Sequence, residues 1–123
     1  MKLRFRGNSL RLRVNQREVK TLADGGRLVE TVSFPSANDL SYRLETVDQP
    51  TALASFHHNA ISIAVPAAEV RRWAADDSIG LYYDLPTAAE PLRIMIEKDL
   101  ECVEGPVDER DPEAFARTIP KVC

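Results

Sequence analysis

Apolar and polar side chains alternate along the first residues of the chain, on both sides of a short turn. The apolar positions are Leu3, Phe5, Leu10, Leu12 and Val14. A period of two residues indicates β-strands, and Gly7-Asn8 between two such runs is typical of a two-residue turn. The pattern predicts a β-hairpin in which Phe5 faces Leu10 and Leu3 faces Leu12.

The period then changes to that of a short amphipathic helix. Asn15 is a candidate N-cap, Glu18 follows three residues later as in a capping box, and Gly25-Gly26 marks the end. Further strands are predicted over residues 27–34 and 40–47, separated by a segment rich in Pro, Ser, Asn and Asp.

From Leu53 onward the same series of elements begins again, shifted by 51 residues. The shift places Phe56, Asn59, Ile61, Ile63, Val65, Glu69, Val70, Trp73, Ala74, Ile79 and Pro86 on Phe5, Asn8, Leu10, Leu12, Val14, Glu18, Val19, Leu22, Ala23, Leu28 and Pro35. One extra residue in the next loop brings Leu92, Ile94, Ile96 and Glu97 onto Leu40, Tyr42, Leu44 and Glu45. The match predicts an internal duplication, with repeats over residues 1–48 and 52–99. The alternative is that any two half-buried segments share this apolar spacing.

These elements predict an α+β fold that consists mainly of antiparallel strands. Each repeat reads strand, strand, helix, strand, strand, which gives about eight strands and two short helices. Neither repeat can bury both faces of its strands alone, so we expect the two to enclose one core as a small pseudo-two-fold barrel. We expect one domain over residues 1–100, followed by an irregular, acidic, proline-containing segment over residues 101–123.

Composition supports a single globular domain. The chain has 123 residues, of which 44% are hydrophobic and 28% charged, and it contains two cysteines, Cys102 and Cys123. These values exclude disordered, collagen-like and disulfide-scaffold classes. Since no apolar run approaches the length of a membrane span, the sequence predicts a soluble, cytoplasmic protein without a membrane partner.

The net charge of −3 conceals two segments of opposite sign. Residues 1–20 contain seven bases and one acid, whereas residues 99–113 contain seven acids and one base. We hypothesise that the C-terminal segment lies against the strand face that bears Arg4, Arg11 and Arg13. The alternative is a solvated acidic tail that aids solubility.

The segment from Arg6 to Val14, RGNSLRLRV, followed by a helix with a glycine stop, resembles the swapped-hairpin modules of the AbrB/MazE type. The segment from His58 to Pro66, running on to Trp73 and Asp77, resembles a second copy. Such modules dimerise into one small β-barrel and usually bind DNA as transcription factors or antitoxins. The resemblance implies that Asn8, Ser9 and Arg13 contact DNA, with Arg4, Arg6 and Arg11 nearby.

The whole chain also resembles a group of small uncharacterised bacterial proteins. These begin near M-K-(I/L)-R-(I/F)-(R/K)-G-N-S and carry a late E-K-D-x-x-C stretch, here the segment from Glu97 to Cys102. This resemblance implies no particular function.

The hairpin register creates a conflict of charge. It places Arg4 opposite Arg11 and Lys2 opposite Arg13, and like charges directly opposite each other destabilise a strand pair. Solvent screening, nearby acids or an anionic partner such as nucleic-acid phosphate would relieve the repulsion. The candidate nucleic-acid or anion site comprises Arg4, Arg6, Asn8, Ser9, Arg11 and Arg13. The second repeat carries Ser55, His57, Ser62 and Ala64 where the first has its four arginines, which weakens the case for a two-fold DNA contact.

Other chemistry-bearing residues give weaker signals. Adjacent His57-His58 on a strand would point to opposite faces, Cys102 has no visible base, and Trp73 falls on the apolar side of its helix. Glu45 and Glu97 at strand ends suit ion pairs better than acid–base catalysis. We therefore expect no catalytic residues, metal or cofactor.

The sequence favours a non-enzymatic binding module that acts as a monomer or homodimer; it does not identify the partner, for which a nucleic acid and a protein are the candidates. The alternatives are an AbrB/MazE-like DNA-binding regulator or antitoxin, and a small enzyme that binds a phosphate ligand.

Overall fold

The computed structural model describes residues 1–100 and 111–116. It contains two helices, α1 (Gln16–Ala23) and α2 (Ala67–Ala75). The strands are β1 (Lys2–Arg6), β2 (Ser9–Val14), β3 (Leu28–Ser33), β4 (Asp39–Val47), β5 (Leu53–His57), β6 (Ala60–Pro66), β7 (Gly80–Leu85) and β8 (Leu92–Lys98). The predicted α+β class, the eight strands and the two helices are confirmed.

The strands form two four-stranded sheets, and each sheet combines both halves of the chain. The first sheet has the order β1-β2-β8-β7 and the second has the order β3-β4-β6-β5. Within each sheet the hairpins are antiparallel, and one parallel pairing joins them, β2 with β8 and β4 with β6. These pairings define two sheets, and the closed barrel stays a prediction.

The two parallel pairings have corresponding registers. Ser9 lies opposite Arg93 in the first sheet, and Ala60 lies opposite Ser41 in the second, as the predicted repeat would place them. The structural counterpart of Leu28, however, is Leu81, because Leu28 lies opposite Leu44 and Leu81 lies opposite Ile96. Ile79 was the expected counterpart, but Leu81 follows Trp73 by eight residues, whereas Leu28 follows Leu22 by six. The duplication itself stays a prediction.

The N-terminal hairpin has the expected register. Phe5 lies opposite Leu10, and Arg4 lies opposite Arg11. Gly7 adopts a φ of 54°, a left-handed conformation that costs glycine little. The short turn therefore sets which side chains share each face of the hairpin.

Helix α1 begins with the predicted capping box. The Asn15 side chain accepts a hydrogen bond from the Glu18 backbone N–H at 2.9 Å, and Glu18 accepts one from the Asn15 backbone N–H at 2.9 Å. The Asn15 amide also donates to Asp111 Oδ2 at 2.9 Å, which joins the helix start to the C-terminal segment.

Replacing Asn15 with alanine should lower the free energy of unfolding by about 1–2 kcal/mol, because it removes a cap acceptor. Asn15→Ser retains a cap acceptor but lacks the amide group that donates to Asp111, so its loss should be smaller than that of Asn15→Ala. Urea denaturation of both variants measures the difference. An Asn15→Ala variant as stable as the parent would contradict the assignment of this cap.

Both helices and the inner faces of both sheets share one hydrophobic core. Its ten most deeply buried side chains are Leu12, Val14, Leu22, Leu44, Ile63, Val65, Val70, Trp73, Ile94 and Ile96. Trp73 is 0% exposed, which confirms its prediction as a core residue.

Residues 111–116 lie against the start of α1, and not against the arginines of the hairpin. The Gln16 backbone N–H donates to the Glu113 carbonyl at 3.0 Å, and the Phe115 N–H donates to the Asp99 carbonyl at 2.6 Å. Free backbone donors and the positive end of the helix dipole attract acidic residues to a helix start. For these residues the hypothesised position of the acidic segment is therefore wrong. Residues 101–110, which include Cys102, and residues 117–123 lie outside the described residues, so the predicted irregular structure of this segment is untested there.

Candidate functional site

The outward side of the first sheet concentrates positive charge on three adjacent strands, β1, β2 and β8. Alternation buries Leu10, Leu12 and Val14 on the inner side and leaves the neighbouring residues of β2 on the outer side. The ladder registers align the outer residues in three rows, which we call the basic face. The rows are Lys2, Arg13, Glu97 and Gly80; Arg4, Arg11, Met95 and Tyr82; and Arg6, Ser9, Arg93 and Asp84.

The basic face contains six basic residues and two acidic residues. Both acids are paired: the Glu97 carboxylate lies 2.9 Å from Nε of Arg11, and the Asp84 carboxylate lies 3.3 Å from a guanidinium nitrogen of Arg93. Lys2 lies 2.7 Å from the carboxylate of Asp99, beyond the end of β8. The acids therefore neutralise one side of the face and leave the side near β1 positive.

Arg4, Arg6 and Arg13 are exposed and have no acidic partner within 4 Å among the described residues. A small hollow of about 60 Å³ is lined by Arg4, Arg6, Ser9, Arg11 and Met95. Guanidinium groups bind phosphate and carboxylate oxygens through paired N–H donors. This arrangement can hold one anionic group beside a row of further cations.

Asn8 and Ser9 have local roles at the hairpin turn. The Asn8 amide donates to the carbonyls of Glu90 and Pro91 at 2.9 and 3.2 Å, and the Ser9 hydroxyl donates to the Arg6 carbonyl at 2.5 Å. Of the predicted site residues, the structure brings the four arginines and Ser9 onto one face. It places Asn8 at the edge, where it fixes the turn against the loop before β8.

Tyr82 places an aromatic ring among these cations. It is 48% exposed, and its hydroxyl donates to Glu97 at 2.9 Å. The Arg93 guanidinium carbon lies 5.8 Å from the ring centre. Partial burial, with the bond to Glu97 as a further cause, raises the pKa of Tyr82, so the phenol stays protonated at neutral pH.

Gly80 makes room for this ring. A Cβ atom at Gly80 would lie 2.8 Å from the Tyr82 hydroxyl oxygen and 2.9 Å from the Ile96 carbonyl oxygen. Any larger residue would displace the ring or the neighbouring strand, so Gly80 allows Tyr82 to lean across the basic face toward Glu97.

Sequence reasoning missed Tyr82, Met95 and Arg93 as members of this face. The residues of β8 alternate as those of β2 do, which places Arg93, Met95 and Glu97 on one side. That signal shows a polar side of β8, but it does not show which strand is the neighbour. Only the pairing of β2 with β8 brings the two polar sides together.

The outer side of the second sheet has a different composition. Where the first repeat has Arg4, Arg6, Arg11 and Arg13, the corresponding strands carry Ser55, His57, Ser62 and Ala64. On β4, Arg43 is accompanied by Asp39 and Glu45. Two sheets of the same topology therefore differ mainly in the charge of their outer sides, which offers an internal comparison for experiments.

An apolar cleft of about 450 Å³ lies between the two sheets. Phe5 and Phe56, which are 58% and 70% exposed, contribute to its walls. The remaining lining residues are Leu10, Leu40, Ala54, Ser55, Ile61, Ile63 and Leu92. Clefts of this size and composition can accept an apolar group without leaving polar atoms unpaired.

The histidine pair lies at the second hairpin turn. His57 ends β5, His58 has a φ of 50°, and the two ring centres are 3.9 Å apart, because the turn brings together side chains that a continued strand would separate. Across residues 1–100 and 111–116, no three His, Cys, Asp or Glu side chains are grouped as a metal site would require. Neither helix of the described chain has the length and apolar character needed to cross a membrane.

The fold and the site together define the class of protein. It is a small α+β domain with two mixed sheets, and the first sheet has a basic outer face. The chain belongs to a family of unknown function, DUF7009, whose model matches residues 1–118. No curated protein and no solved structure matches it. The family agrees with the resemblance to uncharacterised proteins, and the resemblance to AbrB/MazE modules stays a prediction.

Proposed function

We propose that the basic face binds the phosphate backbone of a nucleic acid, and that the protein is a binding module and not an enzyme. The observation that carries the proposal is the placement of Arg4 directly opposite Arg11, with Arg6 and Arg13 beside them. Like charges directly opposite each other destabilise the strand pair. Phosphate groups would neutralise these charges, and the release of counterions from the nucleic acid would favour binding.

The distribution of acids supports the same function. Glu97 and Asp84 pair with Arg11 and Arg93, so both acids of the face have a base of the same face as partner. Among the residues that the structure describes, Arg4, Arg6 and Arg13 have no acidic partner, which leaves them available to a ligand that runs along the strands. A backbone with regularly spaced phosphates matches such a row better than a single small anion does.

The experiment titrates the protein into a labelled nucleic acid of about 20 nucleotides at several salt concentrations from roughly 50 to 200 mM, and fluorescence anisotropy measures the binding. The test variant is Arg4→Ser, Arg6→His and Arg13→Ala, which installs the residues of the second sheet. Loss of three phosphate contacts should reduce the salt slope of log K by about 2–3 and weaken binding at low salt.

The matched control makes the same three types of change at exposed arginines outside the basic face, Arg27→Ser, Arg71→His and Arg72→Ala. Both variants carry the same net charge, so a general charge effect would weaken them equally. Equal weakening, or binding that does not depend on salt, would count against the proposal.

A small phosphate ligand is the second candidate, and the hollow beside Arg4, Arg6 and Arg11 favours it. Inorganic phosphate or a mononucleotide would then compete with the nucleic acid at millimolar or lower concentration. Under the backbone proposal, mononucleotides compete weakly, because each occupies only one of several phosphate positions. An AbrB/MazE-like regulator or antitoxin would be indicated by preference for a particular duplex sequence.

A further inference from the structure

The second row of the basic face combines cations with an exposed ring. It runs Arg4, Arg11, Met95 and Tyr82 across all four strands. A row made only for phosphates would not need an aromatic side chain at its end. Aromatic rings on a sheet beside basic residues are the means by which proteins stack the unpaired bases of single strands.

The dimensions of the face argue against insertion into a duplex groove. Four strands at about 4.8 Å spacing span about 14 Å between the outer strand axes, before side chains are added. The major groove of B-DNA is about 12 Å wide and accepts a helix or a two-stranded ribbon. The whole sheet is therefore too wide to enter the groove.

The β1–β2 hairpin also cannot enter a groove as a separate two-stranded ribbon, because its turn is bonded to the rest of the sheet. The Asn8 amide binds the carbonyls of Glu90 and Pro91, and the Arg93 backbone N–H donates to the Asn8 carbonyl at 3.1 Å. These bonds fix the turn against the loop before β8. The ligand must then lie across the sheet surface, where bases reach Tyr82 only if they are unpaired.

Tyr82 is positioned for such a contact. Its hydroxyl is anchored to Glu97, and Glu97 is itself held by Arg11 at 2.9 Å. Gly80, which has no Cβ atom, lets the ring lie close to β7. An anchored aromatic side chain loses little conformational entropy on binding, which favours stacking.

We infer, on the basis of the proposed function, that the ligand of the basic face is a single-stranded nucleic acid, with one base stacked on Tyr82 and phosphates along the arginines of β1 and β2. Stacking tolerates any base, so sequence preference should be weak. DNA and RNA strands share this chemistry, and both enter the test.

The test compares oligothymidine and oligouridine strands of about 12 nucleotides with a duplex of the same length and with inorganic polyphosphate. Tyr82→Ala should weaken single-strand binding by about five- to a hundredfold. Tyr82→Phe keeps the ring and should remain within about twofold of the parent. Polyphosphate binding should be the same for all three proteins, since it needs no stacking.

Phe56→Ala is the matched control, because it removes an exposed aromatic side chain that contributes to the apolar cleft. Near-ultraviolet circular dichroism of buried Trp73 verifies that each variant is folded.

Equal or tighter binding of the duplex, or full single-strand affinity in Tyr82→Ala, would overturn the inference while leaving backbone binding intact. Failure of all strands and polyphosphate to bind would instead refute the proposed function. Tighter binding of oligouridine than of oligothymidine would identify RNA as the ligand, and the reverse would identify DNA.

Discussion

Replacing Trp73 with alanine is expected to lower the free energy of unfolding by about 3–5 kcal/mol, one of the largest losses available from a single substitution. The side chain is 0% exposed and lies in the core that both sheets share. Its indole N–H donates to the Ile79 carbonyl at 3.0 Å. Removal leaves a cavity that the two sheets, held by their ladders, can close only in part.

A second variant at this position and a control at an exposed aromatic residue show how much of the loss comes from buried volume. Trp73→Phe keeps one buried six-membered aromatic ring, and the Ile79 carbonyl still accepts a bond from the Lys98 backbone N–H at 2.9 Å, so its loss should be smaller. Phe56→Ala removes a large side chain that is already 70% exposed and should cost under about 1 kcal/mol. Urea denaturation followed by circular dichroism measures all three. A Trp73→Ala loss no greater than that of Phe56→Ala would show that the core is misassigned.

Separating the chain between Gln49 and Pro50 should abolish folding of either half alone. Strand β2 pairs with β8, and β4 pairs with β6, so each sheet needs strands from both halves. A half-chain would keep its hairpins but expose their inner faces, and an isolated hairpin is marginal in water. Mixing the two halves should restore the near-ultraviolet signal of Trp73 and a cooperative unfolding transition.

Size-exclusion chromatography must accompany these measurements. The corresponding registers of the two parallel pairings would allow a half-chain to pair with a second copy of itself, and such a dimer agrees with the predicted duplication. A monomeric half with its own cooperative transition would contradict the intertwined topology. A full chain cut only after assembly serves as the control and should remain folded.

Local structure was largely predictable, because short-range geometry determines it. The two-residue turn at Gly7-Asn8 sets the register of the first hairpin, so the opposition of Arg4 and Arg11 followed from the sequence alone. Asn15 and Glu18 likewise indicated where α1 begins. In each case the interacting residues are close in the chain, and one turn or cap determines their contact.

The candidate site was predictable only in its N-terminal half. Arg4, Arg6, Arg11 and Arg13 follow from the hairpin, whereas Tyr82 reaches the face through pairings between strands far apart in sequence. Periodicity shows that a strand has an apolar and a polar side, but it carries no information about which strand lies beside it.

The sequence by itself therefore determined the elements, the charges and the faces on which the side chains lie. Tertiary structure alone decided that β2 lies beside β8, which adds Tyr82 and Arg93 to the basic face and pairs Glu97 with Arg11. The physical reason is that strand neighbours are selected by burial of one shared core, a property of the whole chain. Local turns and caps act within a few residues and cannot make that selection.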